Sequence, residues 1–100
     1  MTAYVISEVE VLDEQAASQY RALAAESIAL HGGKYLARAA EAIVAEGSPS
    51  SGRIVIVEFP SMQAARNWYA SEEYGKALAF RTTALRRRLL FVEGLPQSGN

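Results

Sequence analysis

Glutamates that could act as acids, bases or ligands are spread along the 100-residue chain rather than gathered in one motif. Glu8, Glu58 and Glu93 each lie in a segment with the alternating pattern of a strand. That alternation predicts all three on one face of a sheet, where burial disfavours the ionised carboxylate and suits a general base. The favoured alternative is that they reach the rim of the sheet and pair with arginines or water, because charged residues are seldom buried unpaired.

Imidazole chemistry would have to use His31, which is the only histidine. It lies in the last turn of a predicted helix, where the helix dipole stabilises a cation, and this favours a capping or packing role. The chain has no cysteine, and a single histidine provides none of the usual zinc or iron ligand spacings. We therefore predict no metal and no cofactor.

Two adjacent aromatic residues, Trp68 and Tyr69, lie in the segment SMQAARNWYASEEY. Neighbours on a helix diverge by about 100°, so one ring is expected to pack on the sheet while the other lies at the flank. A flanking aromatic could border a pocket together with Tyr74.

Charge and composition argue against a polyanionic partner and against a membrane. The chain carries ten basic and eleven acidic residues, and no basic face for nucleic acid is expected. Arg86 to Arg88 begin the last predicted strand, where positive charge would block pairing between strand edges. The N-terminal segment resembles neither a signal peptide nor a membrane span, so we expect a cytoplasmic protein.

Hydrophobic alternation and turn residues predict the order strand, helix, strand, strand, helix, strand. The predicted strands are 3–11, 34–46, 53–59 and 88–93. The helices begin after Asp13 and Ser61, and the second restarts at Ser71 and continues toward Leu85. This order is typical of a ferredoxin-like α+β fold, a βαββαβ sandwich in which a four-stranded antiparallel sheet carries two helices on one face. We predict one domain over residues 1–96 and a flexible tail over 97–100.

Both faces of the predicted sheet are apolar. The face expected to meet the helices carries Val5, Val9, Val55, Val57, Phe59, Leu90 and Val92. The opposite face carries Tyr4, Ile6, Ile54, Ile56, Leu89 and Phe91. A large apolar patch is rare on a soluble monomer, so we predict a homodimer packed through this open face.

Several short motifs together resemble the domain of unknown function 1330 family. They are HGGKYLAR at 31–38, RIVIVEFPS at 53–61, WY at 68–69, SEEY at 71–74, Arg81 and VEG at 92–94. The family usually has two glycines where this chain has Ala39 and Ala40, and often has proline where this chain has Glu72. The resemblance implies a dimeric α+β barrel, in which two ferredoxin-like sheets face each other and enclose pockets. Related families include cofactor-free monooxygenases, isomerases and haem enzymes, so the fold alone does not define a function.

Two functions are compatible with these residues. The first is binding or transformation of a small apolar or aromatic metabolite in a pocket beside the sheet or inside the dimer, with Glu58 as the catalytic base. The residues predicted to contact this ligand are Arg38, Trp68, Tyr69, Tyr74, Arg81 and His31, and the two arginines would hold an anionic group. The second is a non-catalytic dimeric structural or interaction module, whose polar residues satisfy one another.

Overall fold

Four strands pair into one antiparallel sheet in the order β2-β3-β1-β4 in the computed structural model, which describes residues 1–49 and 52–96. The elements are β1 (Ala3–Val11), α1 (Glu14–Leu30), β2 (Lys34–Ala40), β3 (Arg53–Phe59), α2 (Met62–Tyr69), α3 (Glu72–Ala84) and β4 (Leu85–Glu93). The predicted ferredoxin-like α+β fold is confirmed. The expected tail at 97–100 lies outside the described residues.

Each helix begins at a side chain that accepts a hydrogen bond from a backbone N–H of its first turn. Asp13 Oδ1 accepts from the N–H of Ala16 at 3.1 Å, and Ser61 and Ser71 cap α2 and α3 in the same way. Because Ser71 starts a new helix, the second predicted helix is two helices. No helix within the described parts of the chain is long and apolar enough to cross a bilayer.

In the last strand, the residues that face the helices are not the predicted ones but those that alternate with them. It begins at Leu85 rather than at residue 88, because α3 runs into it without a loop. Leu85 is buried opposite Val11, and the period of two then turns Leu89 and Phe91 toward the helices. The prediction for Leu90 and Val92 was therefore wrong: both lie on the open face and are 41% exposed.

The three candidate glutamates do not share a face. Glu93 is opposite the buried Ala3, which places it on the helix side of the sheet edge. Glu8 lies on the open face within 3.7 Å of Arg88, so it is paired as the rim interpretation expected. Glu58 lies on the same open face, 3.9 Å from Lys34.

Strand β2 is irregular, and it ends six residues before the predicted limit. Its pairing with β3 shifts register between Tyr35 and Ala37 and again before Ala40. Ala39 lies between these points with φ of 55°, in the left-handed region that a side chain disfavours. This is one of the two positions where the family usually has glycine.

The left-handed backbone at Ala39 predicts that glycine stabilises the fold. Such strain costs on the order of 1–3 kcal/mol, while added glycine entropy costs about 0.5–1 kcal/mol, so Ala39→Gly should gain about 1 kcal/mol. Urea denaturation should show a higher midpoint with an unchanged slope. Ala40→Gly, where φ is not positive, is the matched control and should destabilise. Equal losses of unfolding free energy in the two variants would contradict backbone strain at Ala39.

Candidate functional site

Two arginines lie in one cross-strand row on the helix-facing side of the sheet. Arg53 of β3 and Arg87 of β4 are both opposite Val9 of the central strand β1. Directly opposite residues point to the same face, and neighbouring strands lie about 4.8 Å apart. The two side chains therefore flank Val9 from either side, near the end of the sheet where α1 begins.

A cavity of about 100 Å³ lies between this face of the sheet and α1. Both arginines line it, as do Arg21 and Tyr20 of α1. The rest of the lining is mainly apolar and includes Val5, Val57, Ala24, Ile28, Leu89 and Trp68. Because α1 runs back along β1, Tyr20 and Arg21 lie nearer the arginine row and Ile28 lies nearer the apolar end. The cavity is thus cationic at one end and apolar at the other.

Arg87 is held by two tyrosine hydroxyls. Its Nη1 donates to Tyr20 Oη at 2.6 Å and its Nη2 donates to Tyr74 Oη at 2.7 Å. The two hydroxyls are themselves 2.6 Å apart and hydrogen-bonded. Tyr20 belongs to α1 and Tyr74 to α3, so this triad ties both long helices to the edge strand.

Burial keeps two phenols of the cavity lining, Tyr20 and Tyr35, protonated. The pKa of Tyr20 is raised, chiefly because burial disfavours the phenolate and also because Tyr74 is adjacent, while Arg87 opposes the shift. The pKa of Tyr35, which also lines the cavity, is raised by burial, with Arg38 opposing. Both side chains are therefore neutral hydrogen-bond donors near neutral pH, not bases.

The cavity arginines differ in how their charge is compensated. Arg21 pairs with Glu14 at 2.6 Å, and Arg53 lies 3.8 Å from Glu41. The guanidinium carbon of Arg38 lies 4.5 Å from the ring centre of Tyr35. None of the ion pairs between described residues includes Arg38 or Arg87. Two cations therefore border the cavity without a carboxylate from the described chain.

Trp68 is a core residue that forms part of the cavity wall. It is 3% exposed, its indole N–H donates to Ser27 Oγ at 3.0 Å, and its ring lies 5.4 Å from that of Phe59. Tyr69, the next residue, is 43% exposed and packs edge-on against Phe91. The expected divergence of the two rings is present, and the tryptophan is the one that packs inward.

The residues predicted from the sequence do not converge on one site. Arg38 and Trp68 line the cavity, and Tyr74 is linked to it through Arg87. Glu58 is on the open face of the sheet, away from them.

The other three predicted residues, Tyr69, His31 and Arg81, lie outside the cavity lining. His31 Nε2 lies 3.3 Å from Glu73 Oε1, so the end of α1 is tied to the start of α3. Arg81 lies in α3, and its Nε is buried with no hydrogen-bond partner among the described residues.

Sequence reasoning missed Arg87 and Tyr20. Arg87 was treated as one of three edge-strand cations, and Tyr20 was not among the candidate site residues. The signal that could have separated Arg87 from Arg86 and Arg88 was the alternation of β4, once its start was known. The other two arginines lie on the open face and pair with Glu10 and Glu8.

The chain matches the family model described as "Domain of unknown function (DUF1330)" over residues 2–95. It belongs to that family. Among proteins with curated descriptions, none matches the chain.

Solved structures support the fold of this DUF1330 member. A protein of unknown function from Rhodopseudomonas palustris, RPA0582, is 18% identical with a TM-score of 0.76, covering 95% of this chain and 83% of its own. SnoaB, a cofactor-independent oxygenase from Streptomyces nogalater, is 9% identical with a TM-score of 0.60, covering 99% and 98%. Rv0793 from Mycobacterium tuberculosis is 17% identical with a TM-score of 0.59, covering 99% and 100%. The shared fold is of the dimeric α+β barrel type.

The triad predicts unequal effects of removing two tyrosine hydroxyls. Tyr74 is fully buried and its hydroxyl accepts from a charged donor, so Tyr74→Phe should lower the free energy of unfolding by about 2 kcal/mol. Tyr69→Phe removes a hydroxyl from a largely exposed side chain and should change it by less than about 0.5 kcal/mol. Chemical denaturation of both variants measures the difference. Equal effects would mean that Arg87 gains nothing from Tyr74.

Proposed function

We propose that this protein binds a small metabolite with an apolar body and an anionic group, in the cavity between α1 and the sheet. The observation that carries the proposal is Arg87, a partly buried guanidinium that contacts neutral phenols and no carboxylate of the described chain. Burying a charge is costly unless an opposite charge accompanies it. An anionic ligand would supply that charge.

The size and polarity of the cavity limit the ligand. An engineered protein cavity of about 150 Å³ binds benzene, so about 100 Å³ encloses at most one small ring or a short branched chain. Larger substituents would extend toward the mouth of the cavity. The apolar end, with Ile28 and Trp68, suits the body of such a ligand, and Arg87 suits its anionic group. Arg38 is a second candidate for the same charge.

The lining favours binding over base-initiated chemistry. Among the described residues that line the cavity, none is a carboxylate or a histidine, and these are the commonest general bases. Glu58 faces the other side of the sheet, so it would act as a base only in a site enclosed by two facing sheets. Likeness to SnoaB at 9% identity concerns the fold alone, and its oxygenase activity is not carried over to this chain.

A second proposal concerns the open face, which we infer to be a homodimer interface. Ile56, Ile6 and Leu90 form one apolar cross-strand row there, and Tyr4 and Val92 continue it. The ion pairs Glu8–Arg88, Glu10–Arg86 and Glu58–Lys34 share this face. A second sheet would cover the row while the charges pair within each chain. If the cavity binds nothing, such a dimer would favour the alternative function, a dimeric structural or interaction module.

Benzoate is the simplest probe of the cavity, because it combines one ring with one carboxylate. Calorimetric or NMR titration should give a Kd on the order of 1 mM, an ordinary strength for so small a ligand. Arg87→Met should weaken binding about tenfold or more, since a charged hydrogen bond is lost. Benzamide, which has the same shape without the charge, should bind the wild type about as weakly.

The control for this titration is Arg86→Met. It removes the neighbouring arginine, which pairs with Glu10 on the open face, and should leave the affinity for benzoate unchanged. Failure of the wild type to bind benzoate or any small aromatic acid would contradict the proposed function. It would leave the dimeric module as the remaining candidate.

The dimer prediction is tested by sedimentation. The wild type should sediment at twice its chain mass of 10.8 kDa at micromolar concentration. Leu90→Arg places a third arginine beside Arg86 and Arg88 on the open face and should give monomers. Leu30→Arg, at an exposed position at the end of α1, is the control and should remain dimeric. A stable wild-type monomer would exclude the interface.

A further inference from the structure

The hydrogen-bond pattern of Arg87, Tyr20 and Tyr74 determines which tyrosine hydroxyl can still donate a hydrogen bond outside this triad. Tyr74 is fully buried, and its hydroxyl contacts only Tyr20 Oη and Arg87 Nη2 among the described residues. A guanidinium donates and never accepts. Tyr74 must therefore donate to Tyr20, because the alternative leaves a buried O–H without an acceptor, at a cost of about 1–3 kcal/mol.

Tyr20 is then left with an unused donor. Its oxygen accepts from Tyr74 and from Arg87 Nη1, which uses both of its acceptor positions. Its own hydrogen has no acceptor in the triad. Tyr20 lines the cavity whereas Tyr74 does not, so a bound ligand could supply the acceptor that this hydrogen lacks.

We propose that Tyr20 donates this hydrogen to an anionic oxygen of the ligand, and that the cavity therefore binds a weak acid such as a phenol or an enol in its ionised form. The inference rests on the proposed function and identifies the ligand class of the same site. Each acceptor bond at the Tyr20 oxygen polarises its O–H further, and one of the two comes from a charged donor.

Charge favours the anion over the neutral acid in this cavity. The positive charge of Arg87 has no carboxylate partner in the described chain and lies one hydrogen bond behind Tyr20. A neutral phenol would also need an acceptor for its own O–H, and the arginines at this end of the cavity only donate. When the bound acid ionises, its O–H bond breaks, the electron pair stays on the ligand oxygen, and the proton passes to bulk water.

Titration of 4-nitrophenol tests this inference, because its phenolate absorbs visible light and its ionisation can be followed while it is bound. With the protein in excess, the apparent pKa of the probe should fall by about one unit or more, which is a tenfold preference for the anion. Tyr20→Phe should remove most of this shift. Tyr69→Phe leaves the triad intact and should preserve it.

The possible outcomes separate this inference from the proposed function. Binding of 4-nitrophenol with an unchanged or raised pKa would overturn the anion preference, while benzoate binding would still support the cavity as a ligand site. A lowered pKa that Tyr20→Phe leaves intact would assign the preference to the arginines and overturn the role of Tyr20. Binding of neither probe would overturn both proposals. The wild-type titration decides whether the cavity prefers the anion, even if the Tyr20→Phe variant does not fold.

Discussion

The direct passage of α3 into β4 is the constraint on which the site depends. With no loop between Ala84 and Leu85, burial of Leu85 determines which alternate residues of β4 face the helices. Arg87 is one of them. A guanidinium in that position requires local oxygen partners, and Tyr20 and Tyr74 provide them. The same contacts hold α1 and α3 against the edge of the sheet, so the polar centre of the cavity is also a structural joint.

The two faces of the sheet differ in how their charged side chains are paired, and this difference distinguishes their proposed roles. On the open face, Glu8, Glu10 and Glu58 each have a basic partner within the chain. The second sheet proposed to cover this face would therefore have to supply only apolar contacts. On the helix face, Arg38 and Arg87 border a cavity without a carboxylate from the described chain, and the opposing groups are neutral phenols. The proposed ligand binding and the proposed dimerisation can therefore be tested by different substitutions.

Much of the fold could be predicted from the sequence because its signals are local. The element order was predicted from the helix caps at Asp13, Ser61 and Ser71 and from the apolar run of β3. The face of β4 could not be predicted, because it depends on where α3 ends, and Ala84 and Leu85 suit a helix as well as a strand. Because the face of β4 was unknown, Arg87 was assigned to the strand edge and not to a site. Its contact with Tyr20 could not be predicted either, because the two residues are far apart in the sequence. Arg38 and Trp68 were found because their motifs are distinctive.

The central claim is that the cavity takes the anionic end of its ligand at Arg87 and the apolar end near Ile28 and Trp68. A crystal structure with 4-bromobenzoate tests it most directly, because anomalous scattering locates the bromine independently of the carboxylate. We expect bromine at the Ile28 and Trp68 end, with the carboxylate within hydrogen-bond distance of Tyr20 Oη or the Arg87 guanidinium. Bromine at the arginine end, or outside the cavity altogether, would contradict it.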